Sequence, residues 1–220
     1  MAPPVFGVGL LENTQEPGGR FGWQATQPTV RKQVGRALRL DIGVTSSCLA
    51  HSSFPFVEDN CASGHGKADV QLLSDYVSLL GVPVERSIDT SIARRGLKLF
   101  QQIRCTSCHV RTHTTFARGG PPELVNVEYH SFSDLRLHDM GTSLAHGVTL
   151  RARSWRTSPL WSIGLVAKVN DHAGFLHDGR ATSIEEAILW HGGEADASRG
   201  AFMSLSKDDR DTLLAYLLSL

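Results

Sequence analysis

Five consecutive residues carry the clearest chemical signature in this chain, Cys105-Thr106-Ser107-Cys108-His109. C-x-x-C-H is the attachment signature of c-type haem. On a helical turn residues three apart share a face, so both sulfurs can reach the two vinyl groups on one porphyrin edge. His109, four residues past Cys105, follows beneath the same ring and offers a nitrogen to iron. Two other uses of the thiols compete. A zinc site would want two further ligands at finger or ribbon spacing, but no second C-x-x-C exists and His113 is the one near candidate. A thioredoxin-type dithiol would need a βαβ setting, whereas Ile92 to Arg104 is patterned as a helix. One covalent haem c, held by Cys105 and Cys108 with His109 on the iron, is therefore the expectation, and a zinc-stabilised binding module the alternative.

Other residue types offer weaker chemistry. Cys48 and Cys61 flank a loop rich in Ser, Asn, Pro and Gly; they could form a disulfide in an oxidising compartment or remain two small buried thiols. Arg151, Arg153 and Arg156 surround Trp155. A guanidinium fork matches a haem propionate bidentately, while a solvated basic turn would explain Arg151 and Arg153 equally well. His138 and Asp139 could orient each other. His51, His65, His113, His130, His146 and His172 have no motif behind them, and no residue is assigned as a catalytic acid or base. There is no G-x-S-x-G, P-loop or dinucleotide fingerprint.

These residues need elements to hold them. The chain has 220 residues, enough for one or two domains with a sizeable core. Apolar residues make up 41%, and the 21 glycines bring the total to about half, an ordinary globular value. Twenty-two basic residues balance 22 acidic ones, which gives no electrostatic case for a nucleic-acid partner. No apolar run approaches the roughly 20 residues of a membrane span. The N-terminus lacks the basic start and continuous apolar core of a secretory signal, in tension with the periplasmic location that c-haem assembly implies.

Helical patterns are read over Gln27 to Leu40, Asp69 to Leu80 and Ser91 to Arg104, the last capped by Asp89 or Thr90 and delivering the haem motif. Ser183-Ile184-Glu185-Glu186 reads as a capping box opening a helix from Ile184 to His191, with Gly192-Gly193 as its stop. Ser206 opens a final helix reaching Leu220, and Met203 falls in a turn-like stretch between the two. From Arg111 to Asp171 there is little periodicity. The expected class is mainly α, with a smaller helical segment over 1–86 and a cytochrome c-like helical haem domain with long irregular loops over 87–220.

A series of landmarks then resembles one family. Phe21-Gly22-Trp23, Arg31-Lys32-Gln33-Val34, Cys105 to His109, Leu137-His138-Asp139-Met140-Gly141, Trp155-Arg156-Thr157-Ser158-Pro159-Leu160-Trp161, Phe175-Leu176-His177-Asp178-Gly179-Arg180 and Glu185-Glu186-Ala187-Ile188-Leu189-Trp190-His191-Gly192-Gly193 run in order along the chain. Together they resemble the di-haem oxidoreductases related to bacterial di-haem cytochrome c peroxidases. Members carry two haems in two domains, and the landmarks here are those of the C-terminal one. The resemblance thus implies an electron-transfer haem domain that passes single electrons to a second haem domain, which is expected to be missing from this chain, or to a small redox protein. A stand-alone electron-transfer cytochrome c is the other reading.

The resemblance also implies site residues. In related peroxidases the distal ligand of the C-terminal haem is a Met about fourteen residues past the His of a His-Asp-Gly motif; the same count from His177 reaches His191. His191 is therefore the expected sixth ligand and Met140 its rival. Imidazole in place of thioether would lower the reduction potential. Arg156 is the expected propionate partner, Trp155 and Trp161 are expected to pack on the ring, His177 is expected at the haem edge with Asp178, and Trp190 on the haem or on the final helix. Related peroxidases bind calcium, but no acidic cluster here supports carrying it over.

Overall fold

The computed structural model describes residues 3–14, 20–44, 67–86, 89–116, 121–149, 151–169 and 174–220. Cys48 and Cys61, with His51, His65 and His172, lie outside the described residues. The chain forms two compact units, one of Pro4–Gly81 with Thr114–Glu128 and one containing Val82–His113 and Tyr129–Leu220. Secondary structure is mainly α. The strands are three residues long and pair two by two, β1 (Thr112–Thr114) with β2 (Glu128–His130) and β3 (Leu137–Asp139) with β4 (Ser154–Arg156).

In the first unit α1 (Val8–Glu12), α2 (Val30–Ile42) and α3 (Lys67–Ser78) bury Leu11, Val30, Val34 and Val70. The helix expected from Gln27 starts three residues later. Gln27 precedes a proline, which disfavours helical backbone there, and instead bridges to Phe21; the Thr29 hydroxyl then caps the helix by accepting from the Lys32 N–H at 3.1 Å. At Gly9 a Cβ would stand 2.2 Å from the Ser78 carbonyl, so α1 approaches the end of α3 more closely than any side chain permits.

The second unit is built around α4 (Thr90–Gln102), which ends at the C-x-x-C-H motif, and α8 (Lys207–Ser219). Asp89 is the cap of α4, accepting from the Ser91 and Ile92 N–H groups. The apolar stripe of α4 (Leu99, Phe100 and, just past its end, Ile103) meets Leu213, Tyr216, Leu217 and Leu220 in a core completed by Phe132, Ile184 and Phe202. Gly96 lets the two helices cross, since a Cβ there would lie 2.3 Å from Tyr216 Cβ. Ser206 caps α8 through the Asp209 N–H at 3.1 Å.

Three details differ from the sequence reading. The helix opened by Ser183 is short, α6 (Ile184–Leu189), and its capping box is lopsided. Ser183 accepts from the Glu186 N–H at 3.0 Å, but Glu186 reaches back to the N–H of Thr182 at 2.7 Å rather than to Ser183. Met203 closes a helix, α7 (Asp196–Met203), instead of lying in a turn. Its few apolar residues surround one buried anchor, Phe202, so the stripe is too narrow to announce itself. Within the aperiodic 111–171 region the short α5 (Val166–Val169), β1 to β4 and single 3₁₀ turns are too brief to generate a periodic signal.

Candidate haem site

The motif does not continue α4. Ile103 ends the helix, Arg104 takes the left-handed conformation (φ 62°), and Cys105–Ser107 form one 3₁₀ turn. On such a turn residues three apart eclipse, which puts Cys105 and Cys108 on one side; the His109 N–H closes onto the Cys105 carbonyl at 2.9 Å. Both cysteines are free thiols and half-buried. Burial pushes Cys105 up to about 12, and Cys108 is raised by burial, then by the carboxylates of Asp134 and Glu194. That is the opposite of the lowered thiol a catalytic dithiol needs.

The segment 132–135 runs beside the motif. Phe132 N–H donates to Arg111 O at 3.4 Å, Ser133 N–H to Val110 O at 2.9 Å and Asp134 N–H to Cys108 O at 2.8 Å. Phe132 (φ 54°) and Leu135 (φ 58°) both sit in the left-handed region, where a bulky residue costs about 1–3 kcal/mol. The kinked backbone aims the Phe132 carbonyl at His109 Nδ1, 2.8 Å away. A carbonyl only accepts, so Nδ1 carries the proton and Nε2 keeps its lone pair. Burial lowers His109 to about 4, which keeps the imidazole neutral at physiological pH.

His191 is in the same state. It lies just past α6, its Nδ1–H donates to the Ala187 carbonyl at 2.7 Å, and burial lowers its proton affinity. His191 is among the groups that disfavour a charge on His109, and both histidines belong to the second unit. The structure also brings Met140 there. A Cβ on Gly192 would stand 3.1 Å from the Met140 carbonyl, one on Gly141 3.0 Å from the Gly193 N, and one on Gly193 (φ 56°) 2.1 Å from the Asp139 carbonyl. The end of β3 and the residues after His191 thus pack backbone to backbone, and both candidates for the sixth ligand sit on that seam.

The expected pairing of His138 with Asp139 is not what forms. His138 lies between Asp134 (Nε2 to Oδ2, 2.8 Å) and Glu194 (Nδ1 to Oε2, 2.8 Å), while Asp139 pairs with Arg153 at 2.9 Å. In a strand, neighbours point to opposite faces, so adjacent residues 138 and 139 cannot both turn inward. Burial would lower His138, but the two carboxylates outweigh it and raise it. Asp134 and Glu194 gave no signal in the sequence: one sits in an aperiodic loop and the other follows a glycine pair.

Arg156 is buried on β4 opposite Leu137, and burial lowers its guanidinium to about 10; Arg151 and Arg153 are exposed. Trp155 donates to the Leu144 carbonyl at 2.9 Å and stacks on His177 at 3.6 Å, with 14° between the planes. His177 Nε2 lies 3.7 Å from Asp178. Trp161 is buried against Tyr129, centroids 6.0 Å apart. Trp190 is covered by the Arg180 guanidinium, 4.9 Å from its ring, and lies within 3.5 Å of Glu186. His113 donates from Nε2 to the Ser133 carbonyl at 2.7 Å. Of the histidines without a motif, His130 faces Glu85 at 3.3 Å and His146 stands edge-on to His177.

The family model described as di-haem oxidoreductase, putative peroxidase, matches residues 13–220. The chain belongs to that family. No curated protein matches it. Membership in the di-haem oxidoreductases implies a haem cofactor, and the donor set fits one: two protonated thiols on one side of a turn, followed by two neutral imidazoles that each present Nε2. Among the described residues no helix is long and apolar enough to cross a membrane.

Proposed function

We propose that this chain carries one covalently attached c-type haem and works as a periplasmic electron-transfer domain of a di-haem oxidoreductase. The observation that carries the reading is the matched preparation of His109 and His191, each with Nδ1 committed to a backbone carbonyl and Nε2 left as a lone pair. When bound, a haem supplies one-electron redox chemistry at its iron. The chain's residues do the rest. Cys105 and Cys108 would form the two thioethers, His109 the proximal ligand and His191 the distal one. Arg156 would offer its buried guanidinium to a propionate, a carboxylate that a guanidinium fork matches bidentately. The Trp155–His177 stack would close one side of the ring pocket. Helix α4, ending at the motif and packed across α8, would be the rigid support of a cytochrome c-like domain built from the second unit.

Electrons would pass to a small redox protein or to a second haem domain; a stand-alone electron-transfer cytochrome fits the same site. The ligand assignment is tested by spectroscopy. His191→Ala is expected to turn a low-spin ferric spectrum high-spin while Met140→Ala leaves it nearly unchanged. The reverse result retires the bis-histidine assignment in favour of Met140.

A zinc-stabilised module is the second reading, and one observation favours it. Cys108 Sγ, an Asp134 oxygen and a His138 nitrogen lie within 4.8 Å of one another. His113, the near candidate of the sequence, is not part of that group. Metal analysis separates the readings: zinc without Soret absorption supports the module, and iron with it the haem domain.

A further inference from the structure

A hydrogen-bonded chain runs from the haem motif to the far side of the site. The Cys108 carbonyl accepts from the Asp134 N–H at 2.8 Å. Asp134 Oδ2 meets His138 Nε2 at 2.8 Å, and its Oδ1 accepts from the Arg136 N–H at 3.0 Å. His138 Nδ1 meets Glu194 Oε2 at 2.8 Å, and Glu194 Oε1 accepts from the Asp139 N–H at 2.9 Å. Glu194 lies three residues past His191. Asp134 is almost fully buried and the His138 side chain is 16% exposed, so their bond is shielded from water, whereas Glu194, 55% exposed, bonds His138 and the Asp139 N–H from the surface.

We propose that Asp134, His138 and Glu194 form a positioning clamp that fixes the segment carrying His191 against the segment carrying Cys105 to His109. The clamp rests on the haem reading above and deepens it. Residues on the two sides of a haem iron must be held at one spacing, yet α6 ends at Leu189, before His191, and the segment after it relies on glycines 192 and 193. Helix geometry alone therefore fixes neither side, since His191 lies two residues past α6 and His109 seven past α4. Glu194 supplies the tie: it is the side chain from that segment that bonds β3 twice, once to the His138 ring and once to the Asp139 backbone. His138 transmits it to Asp134, and Asp134 to the backbone of Cys108. None of the three side chains is required on the iron; each acts through His191.

The test uses the haem-loaded protein and the rate at which cyanide replaces the sixth ligand of the ferric form. Glu194→Ala leaves a fold intact, since this side chain is 55% exposed. It is expected to speed cyanide uptake by about tenfold or more and to raise the high-spin fraction, in line with the effect of outer-shell partners on metal sites. His138→Ala is expected to do the same, and the double variant to add little beyond the larger single effect, because the two act as one unit. Glu194→Gln, which keeps the acceptor for the Asp139 N–H, is expected to fall between wild type and Glu194→Ala. Lys207→Ala, which breaks an exposed pair with Asp211 on α8, is expected to leave uptake unchanged. A wild-type protein without haem overturns the haem reading and the clamp together. A haem-bearing wild type whose Glu194 and His138 variants take up cyanide at the wild-type rate overturns the clamp alone.

Discussion

Gly96→Ala sets two effects of opposite sign against each other. Gly96 lies in the middle of α4, where replacing glycine by alanine ordinarily stabilises a helix by about 0.8–1.0 kcal/mol. Here the new Cβ would stand 2.3 Å from Tyr216 Cβ, 2.9 Å from its Cγ and 3.2 Å from the Thr212 carbonyl. Carbon atoms pack at about 3.5–4.0 Å, so the helices must part by more than an ångström. Tyr216 Cβ is fixed to the α8 backbone and cannot swing away. Overpacking of this kind costs about 1–3 kcal/mol. Parting the helices also disturbs the edge contacts of Tyr216 with Phe100 and Phe132, at 6.2 and 6.5 Å, where such pairs contribute about 0.5–1.5 kcal/mol each. The expected net result is a loss of about 1–3 kcal/mol. Urea unfolding of the haem-loaded protein, followed by far-ultraviolet circular dichroism, would show it as a lower midpoint at constant slope. A midpoint raised by the helix-propensity gain would refute the close crossing of α4 and α8.

Other residues give shorter tests. Phe132→Ala removes a ring that is 1% exposed and should cost about 3–5 kcal/mol in the same unfolding assay, while the main-chain carbonyl that holds His109 stays; a loss under about 1 kcal/mol would contradict its place in the core. Ser183→Ala deletes the cap of α6 and is expected to cost about 1 kcal/mol, a result that an unchanged midpoint would exclude. His138 is raised by its two carboxylates, so the stabilisation it provides is complete below its unfolded value of about 6.5 and is lost as pH rises through the higher folded value. The stability gap between wild type and His138→Gln should therefore be widest in mild acid and close toward alkaline pH. A gap that widens with pH would overturn the doubly paired state.

Much of the scaffold was readable because it is periodic. The apolar stripe of α4, the Asp89 cap and the Ser206 opening of α8 are local signals, and they place the helices to within a few residues. Cys105, Cys108 and His109 were readable for a different reason, since five contiguous residues supply the whole attachment chemistry. The partners of these residues were not readable. Phe132 holds His109 through a main-chain carbonyl, and a backbone atom leaves no trace in residue type. Asp134 and Glu194 meet His138 from two separate loops, 4 and 56 residues away, so their pairing exists only after folding. Asp139, the neighbour that sequence offered to His138, is turned away by strand alternation. Helix α7 escaped because its apolar face is confined to little more than Phe202.

Covalent attachment of haem at Cys105 and Cys108 underlies every role assigned to the site. The most direct measurement is the intact mass of the denatured protein, produced in a host that exports it and matures c-type cytochromes, together with the mass of the proteolytic peptide spanning the motif. The expected result is one haem added to the chain, retained on denaturation and located on the peptide holding both cysteines. An unmodified chain with both thiols free, from a host that loads a control cytochrome normally, would contradict the account.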